Sequence, residues 1–194
     1  EARKAADADA GTIFIRNGDK LDFKYSQNDT KQKSLPEGQK LIYSLFSIDI
    51  TKKSIAGYVA STGEILNIPD NYNIPEEAPY SFDPSFDKIT QYKTESTLTF
   101  PLTTNTGEIL GVLQLLNPMR NDGSVRVFDD MDELFAEHFA ANAAIALQRA
   151  QMTRAILLRM NSMAEVRDPS ETGADGNQVG SYSVEIYERW ACYD

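Results

Sequence analysis

Cysteine is nearly missing from this sequence: Cys192 stands alone in 194 residues. An internal disulfide and a site of paired thiolate ligands are both excluded, and a reducing compartment is the natural reading. Histidine is as scarce, and a chain whose only imidazole is His138 cannot build most nucleophilic triads. Positive charge is short as well, with 19 Lys and Arg against 29 Asp and Glu, a net charge of -10. Binders of nucleic acid or of anionic membrane surfaces carry a basic patch, so neither partner is expected. No apolar run approaches the roughly 20 residues that cross a bilayer, no secretory leader is visible and no glycine-rich phosphate loop occurs. The expected location is cytoplasmic. The chain begins at Glu1, without Met and inside a helix-forming segment, which reads as a piece excised from something longer.

What is present is enough apolar material for a core, 41% of residues. The stretch Thr97 to Asn117 organises it. Thr97, Thr99 and Pro101 alternate with Leu98, Phe100 and Leu102, the period of a strand with one apolar face. Ile109 to Leu116 is apolar except at Gly111 and Gln114, as in a strand covered on both faces at the centre of a sheet. Thr104-Asn105-Thr106-Gly107 supplies the turn between them.

Upstream, Glu1 to Ala10 predicts the end of a helix stopped by Gly11. Residues 12–16 and 21–25 predict a hairpin around Asn17-Gly18. Ser26 to Gln39 reads as a loop, and Lys40 to Ile48 as a third strand. A short helix over Lys52 to Ser61, capped by Asp49 or Thr51 and ended by Gly63, precedes a strand at Glu64 to Ile68.

From Pro69 to Tyr92 four prolines forbid long elements, while the aromatics are too many to leave in water. This predicts a folded flap with one short helix, Pro84 to about Gln91, behind Asp83. Two readings of it stand side by side. Tyr72, Tyr80, Phe82, Phe86 and Tyr92 close the sheet by packing alone, or they roof a cavity in which Asn67, Asp87, Thr97, Thr99 and Gln114 are the polar contacts of a small molecule. Gln114, the one polar side chain in a greasy strand, needs a partner in either case.

The last helix opens at Phe128 to Glu133 and is expected to run from Asp130 to about Arg167. Asp129, Asp130, Asp132 and Glu133 look like a metal cluster, but at a helix start they serve the cap and the dipole, with Asp130 and Glu133 at capping-box spacing. Leu134, Phe135, His138, Phe139, Asn142, Ile145 and Ala146 predict a core-facing stripe, which assigns His138 a packed role. Ala146, Thr153, Ile156, Met160 and Met163, interrupted by Arg149, approximate a heptad seam for a partner helix, and homodimerisation through terminal helices is expected.

The element order, the aromatic flap and the motif residues Asn117, Phe128, Asp132 and Glu133 resemble a GAF domain, the small-molecule sensor module of signalling proteins. The family's motif is an Asn-Lys pair after the last strand, then Phe, three residues and Asp-Glu. Pro118 stands where the Lys belongs, so the family's Lys-Asp ion pair would need Arg120 as substitute. The resemblance implies an α+β fold: a central antiparallel sheet, flanking helices and a long C-terminal signalling helix. Cys192 lies outside the region it covers, which speaks against a thioether-bound bilin.

A second resemblance runs from Glu165 to Tyr187, which is similar to the opening of HD-GYP phosphodiesterase domains that hydrolyse cyclic di-GMP. It implies metal-ligand positions at Glu171 and Asp175, with Asp in place of the family's His, and the rest of that catalytic site beyond Asp194. No cofactor is expected in this chain, and divalent metals only in the complete phosphodiesterase. The organisation implied is a GAF sensor over 1–150, a linker helix over 151–165 and a truncated HD-GYP fragment over 166–194. The function implied is a small-molecule-sensing regulatory domain controlling that phosphodiesterase. A ligand-free dimerisation scaffold is the rival reading, and a metal hydrolase built on Glu171 and Asp175 alone is a third.

Overall fold

The structure, a computed structural model, describes residues 1–36, 47–167, 181, 182 and 185. Among the described residues six strands, β1 (Ala8–Asn17), β2 (Lys20–Asn28), β3 (Ser47–Asp49), β4 (Leu66–Ile68), β5 (Thr97–Thr103) and β6 (Ile109–Pro118), form one sheet. Its order is β3-β2-β1-β6-β5-β4 and every neighbouring pair is antiparallel. The helices are α1 (Ala2–Ala5), α2 (Asp29–Lys33), α3 (Ile55–Thr62), α4 (Ser85–Thr90) and α5 (Asp130–Arg167). This is the α+β architecture expected, with β6 in the interior of the sheet between β1 and β5. By compactness the chain divides into residues 1–145 and 146–194, and the sheet and the flap belong to the first.

Register assigns the two faces. Thr12, Gln114, Thr99 and Leu66 sit opposite one another across β1, β6, β5 and β4, and the next row is offset to the other side. On the first face Phe14, Phe23 and Val112 pack with Ala56, Val59 and Ala60 of α3, and the two phenylalanines meet edge to face at 5.5 Å. The second face carries Leu98, Leu113 and Leu115, all buried.

Helix α3 is placed by its ends. Ser54, rather than Asp49 or Thr51, is the N-cap, its Oγ accepting from Gly57 N at 3.1 Å, and Gly63 ends the helix at φ 77°. Gly57 admits nothing larger, because a Cβ there would stand 2.4 Å from the Thr51 carbonyl oxygen.

Several expectations need correction. The N-terminal helix is only Ala2–Ala5, and Gly11 lies inside β1. Helix propensity loses here to pairing: Asp7 turns the chain at φ 48°, and Ala8 and Ala10 then align with Pro118 and Leu116. The segment 26–36 is not all loop, since β2 continues to Asn28, whose side chain caps α2 by accepting from Lys31 N. Of the third strand, Ser47 and Ile48 fall in β3 and residues 40–46 lie outside the described residues. The cap of α5 is Asp129, not Asp130: Asp129 Oδ1 accepts from Met131 N and Asp132 N, and Asp132 Oδ2 accepts in return from Asp129 N.

The stripe on α5 is the largest difference. The helix buries Asp132, Ala136, Ala140 and Ala144, whereas Leu134, Phe135, His138, Asn142, Ile145 and Ala146 are exposed and Phe139 is half-buried. Alanine at every fourth position, not the bulkier side chains, faces inward. Of the expected seam, Ala146, Ile156, Met160 and Met163 are exposed and Thr153 is half-buried, and further exposed apolar side chains recur toward the helix start. Met131, Ile145 and Met152 form one exposed column spaced by multiples of seven, and Phe135, Ile156 and Met163 a second. No described helix is long and apolar enough to cross a membrane.

Candidate functional site

The flap follows β4 directly and is built from local caps. The Asp70 carboxylate accepts from Tyr72 N at 2.9 Å and closes the one-turn helix Asn71–Asn73. Asp83 accepts from Ser85 N at 2.9 Å ahead of α4, a bond that holds its carboxyl below the usual range. Gln91 ends α4 in the left-handed region.

Within this frame Tyr72 meets Phe82 edge to face at 5.3 Å, Tyr80 meets Tyr58 at 5.1 Å, and the Lys93 ammonium lies 5.6 Å from the Tyr72 ring centre. The Tyr72 hydroxyl donates to Asp87 Oδ2 at 2.8 Å, and Asp87 also accepts from Thr94 N at 2.6 Å and Thr94 Oγ1 at 2.8 Å. The carboxylate acceptor pushes the Tyr72 phenol above its ordinary value of 10.0. A raised folded value means that the stabilisation is complete below about pH 10 and is lost as pH rises through the raised value. In an absorbance titration at 295 nm, Tyr72→Phe is therefore expected to remove one phenol from the last group to ionise. Tyr58, whose hydroxyl donates to Glu64 at 2.7 Å, remains in that late group.

Between the flap and the start of α3 lies an open cleft of about 480 Å³, within the range of small-molecule sites. Tyr72, Tyr80 and Phe82 line it together with Lys53, Asn71 and Glu76. Asn71 is buried: its Nδ2 donates to Thr97 Oγ1 at 2.7 Å and to the Thr94 carbonyl at 3.2 Å, which fixes the amide's orientation. Its Oδ1 is buried with no partner among the described residues.

The structure thus brings Tyr72, Tyr80 and Phe82 together at the cleft, with Asp87 behind Tyr72 and Thr97 behind Asn71. Phe86 is 47% exposed and is not among the cleft's lining. Thr99 and Gln114 lie on the α3 face and hydrogen-bond each other, Gln114 Nε2 donating to Thr99 Oγ1 at 3.4 Å, so the strand's polar residue has a protein partner. Asn67 belongs to the other face, opposite Leu98, and its Nδ2 donates to Glu133 Oε1 at 2.7 Å and to the Phe128 carbonyl at 3.2 Å.

The motif residues act as fasteners. Asn117, at φ 51°, accepts on Oδ1 from Glu95 N and Ser96 N and donates from Nδ2 to the Lys93 carbonyl and the Tyr92 hydroxyl. It thereby ties the end of β6 to the end of the flap. Phe128 is 3% exposed. Arg120 does not replace the missing lysine; its guanidinium donates to Ser124 Oγ and the Val125 carbonyl within its own loop. Arg126 replaces it, donating through both terminal nitrogens to the Asp132 carboxylate and reaching the Ala6 carbonyl. Asp132 beside it pushes the guanidinium further above its ordinary value. Glu171 and Asp175 lie outside the described residues.

Sequence reasoning missed Asn71, Arg126 and Lys53. Arg126 carried a usable signal, a cation six residues before an Asp at a helix start. Asn71 carried none, because its partners Thr94 and Thr97 are more than twenty residues away.

A family model described as GAF domain matches residues 1–147 of this chain. The dual 3′,5′-cyclic-AMP and -GMP phosphodiesterase 11A of Takifugu rubripes is 38% identical over 100 residues, 52% of this chain and 10% of that protein. The dual 3′,5′-cyclic-AMP and -GMP phosphodiesterase 11 of Drosophila melanogaster is 33% identical over 98 residues, 50% of this chain and 6% of that one. The chain therefore matches only a small part of each curated relative. Among solved structures, the GAF domain of a phosphoenolpyruvate-protein phosphotransferase from Coxiella burnetii superposes with a TM-score of 0.56 at 19% identity, covering 79% of each chain, a likeness of fold.

Proposed function

The chain belongs to the GAF domain family, regulatory modules of signalling proteins, and from that premise we propose that it senses a small molecule at the flap and passes the event along α5 to a phosphodiesterase output. One observation carries this reading. Asn67, in the edge strand that leads directly into the flap, holds the first turn of α5 through Glu133 and Phe128. A flap that tightens around a ligand pulls on β4, and the tension arrives at the helix start. The cyclic-nucleotide phosphodiesterases among the relatives support a phosphodiesterase as the controlled activity. The resemblance of the segment from Glu165 to HD-GYP domains supports cyclic di-GMP as the substrate of that output, in the cytoplasm, with divalent metals held by a complete phosphodiesterase domain.

The exposed columns on α5 favour a second role that is compatible with the first, a homodimer through that helix. With Met131, Ile145 and Met152 as one heptad position and Phe135, Ile156 and Met163 as the other, two copies bury a seam that one copy leaves in water. If sensing is real, cyclic nucleotides and metabolites screened by thermal melting should include one that raises the midpoint. Asn67→Ala should then keep that binding while uncoupling it from cyclic di-GMP turnover in the full-length protein. A panel that never raises the midpoint, with a dimer that Ile145→Asp plus Met152→Asp converts to monomer in sedimentation equilibrium, leaves only the scaffold.

A further inference from the structure

We infer that the flap cleft takes a small zwitterion with an apolar body, of the chemical class of a free apolar amino acid. This rests on the sensor reading above and specifies its ligand. Asn71 sits in the cleft wall with a buried Oδ1 that has no partner, while both hydrogens of its amide are committed to Thr94 and Thr97. Asn67 Oδ1 is buried and unpartnered too, but of the two only Asn71 lines this cleft, where a donor can come from outside the chain. The cleft also holds one side chain of each charge, Lys53 and Glu76, and neither has an ion-pair partner among the described residues.

A ligand ammonium satisfies Asn71 Oδ1 and Glu76, and a ligand carboxylate satisfies Lys53. The apolar body lies against Tyr72, Tyr80 and Phe82. Overall neutrality matters, because a chain of net charge -10 repels a free polyanion at long range. The cleft's volume, about 480 Å³, admits such a molecule with room for water.

Calorimetric titration of the 194-residue chain with L-phenylalanine and L-leucine tests this. The controls are phenethylamine and 3-phenylpropionate, which keep the ring and carry one charge each. Binding of the amino acids is expected, with each control about five- to tenfold weaker. Lys53→Ala and Glu76→Ala should each weaken the amino acid by a similar factor. Both side chains are exposed and form no described hydrogen bond, so these variants fold. Absence of amino-acid binding overturns the assignment, as does binding unaffected by both variants. If a cyclic nucleotide binds while the amino acids do not, the zwitterion is wrong and the sensor reading survives. If nothing binds, both fail.

Discussion

Replacing Asn117 by alanine is expected to destabilise the sheet-bearing unit by about 3 kcal/mol, the cost of stranding buried backbone donors and forcing a residue with a Cβ but no capping side chain into the left-handed region. The side chain is 3% exposed and makes four hydrogen bonds, two accepted from Glu95 N and Ser96 N and two donated to Lys93 O and Tyr92. Ser96 is itself buried, so water cannot replace the lost acceptor at its amide. Urea unfolding gives the number, and the melting midpoint should fall by roughly 6–12 °C for a unit of this size. The replacement series separates the causes. Asn117→Asp keeps both acceptor bonds and should lose less, while Asn117→Gly relieves the backbone at φ 51° yet loses all four bonds. If glycine matches the parent, the side chain is not the fastener described.

Arg126→Ala is the second large effect, about 3 kcal/mol or slightly more, because it leaves the Asp132 carboxylate buried at 5% exposure without its cation. The loss reaches beyond the pair: Arg126 also donates to the Ala6 carbonyl, 120 residues away, so the N-terminal turn loosens with it. Hydrogen exchange should speed up at residues 2–7 and at the first turn of α5. Arg126→Lys keeps the charge and one of the two donor directions and is expected to recover about half. Combining Arg126→Met with Asp132→Asn removes the stranded charge and should be milder than Arg126→Ala alone. An Arg126→Ala protein that unfolds at the parent's urea midpoint would show that the pair is ornamental.

Much of this fold could be read directly from the chain. Hairpins announce themselves locally: Asn17-Gly18 and Thr104 to Gly107 gave both turns, and the apolar run Ile109 to Leu116 correctly placed its strand inside the sheet. What stayed hidden depended on partners distant in sequence. Ala8 to Ala10 is good helix sequence until Leu116 and Pro118 line up beside it. The inward stripe of α5 is not legible from hydrophobicity, because Ala136, Ala140 and Ala144 face inward while Phe135 and Ile145 face water. At the site, the aromatic cluster of Tyr72, Tyr80 and Phe82 was legible from composition, since rings on a proline-rich segment must find one another. Asn67 reads in the sequence like a partner of Thr97 and Thr99, but one step of pleat separates it from them, and only the pairing register of β4 with β5 reveals that.

One margin of the sheet, β4, is a strand of only three residues. A row that short offers too few open amides and carbonyls to recruit another chain edge to edge. Growth into fibres or ribbons is thereby discouraged at that rim, and self-association there has to be found by side chains, not by main-chain templating.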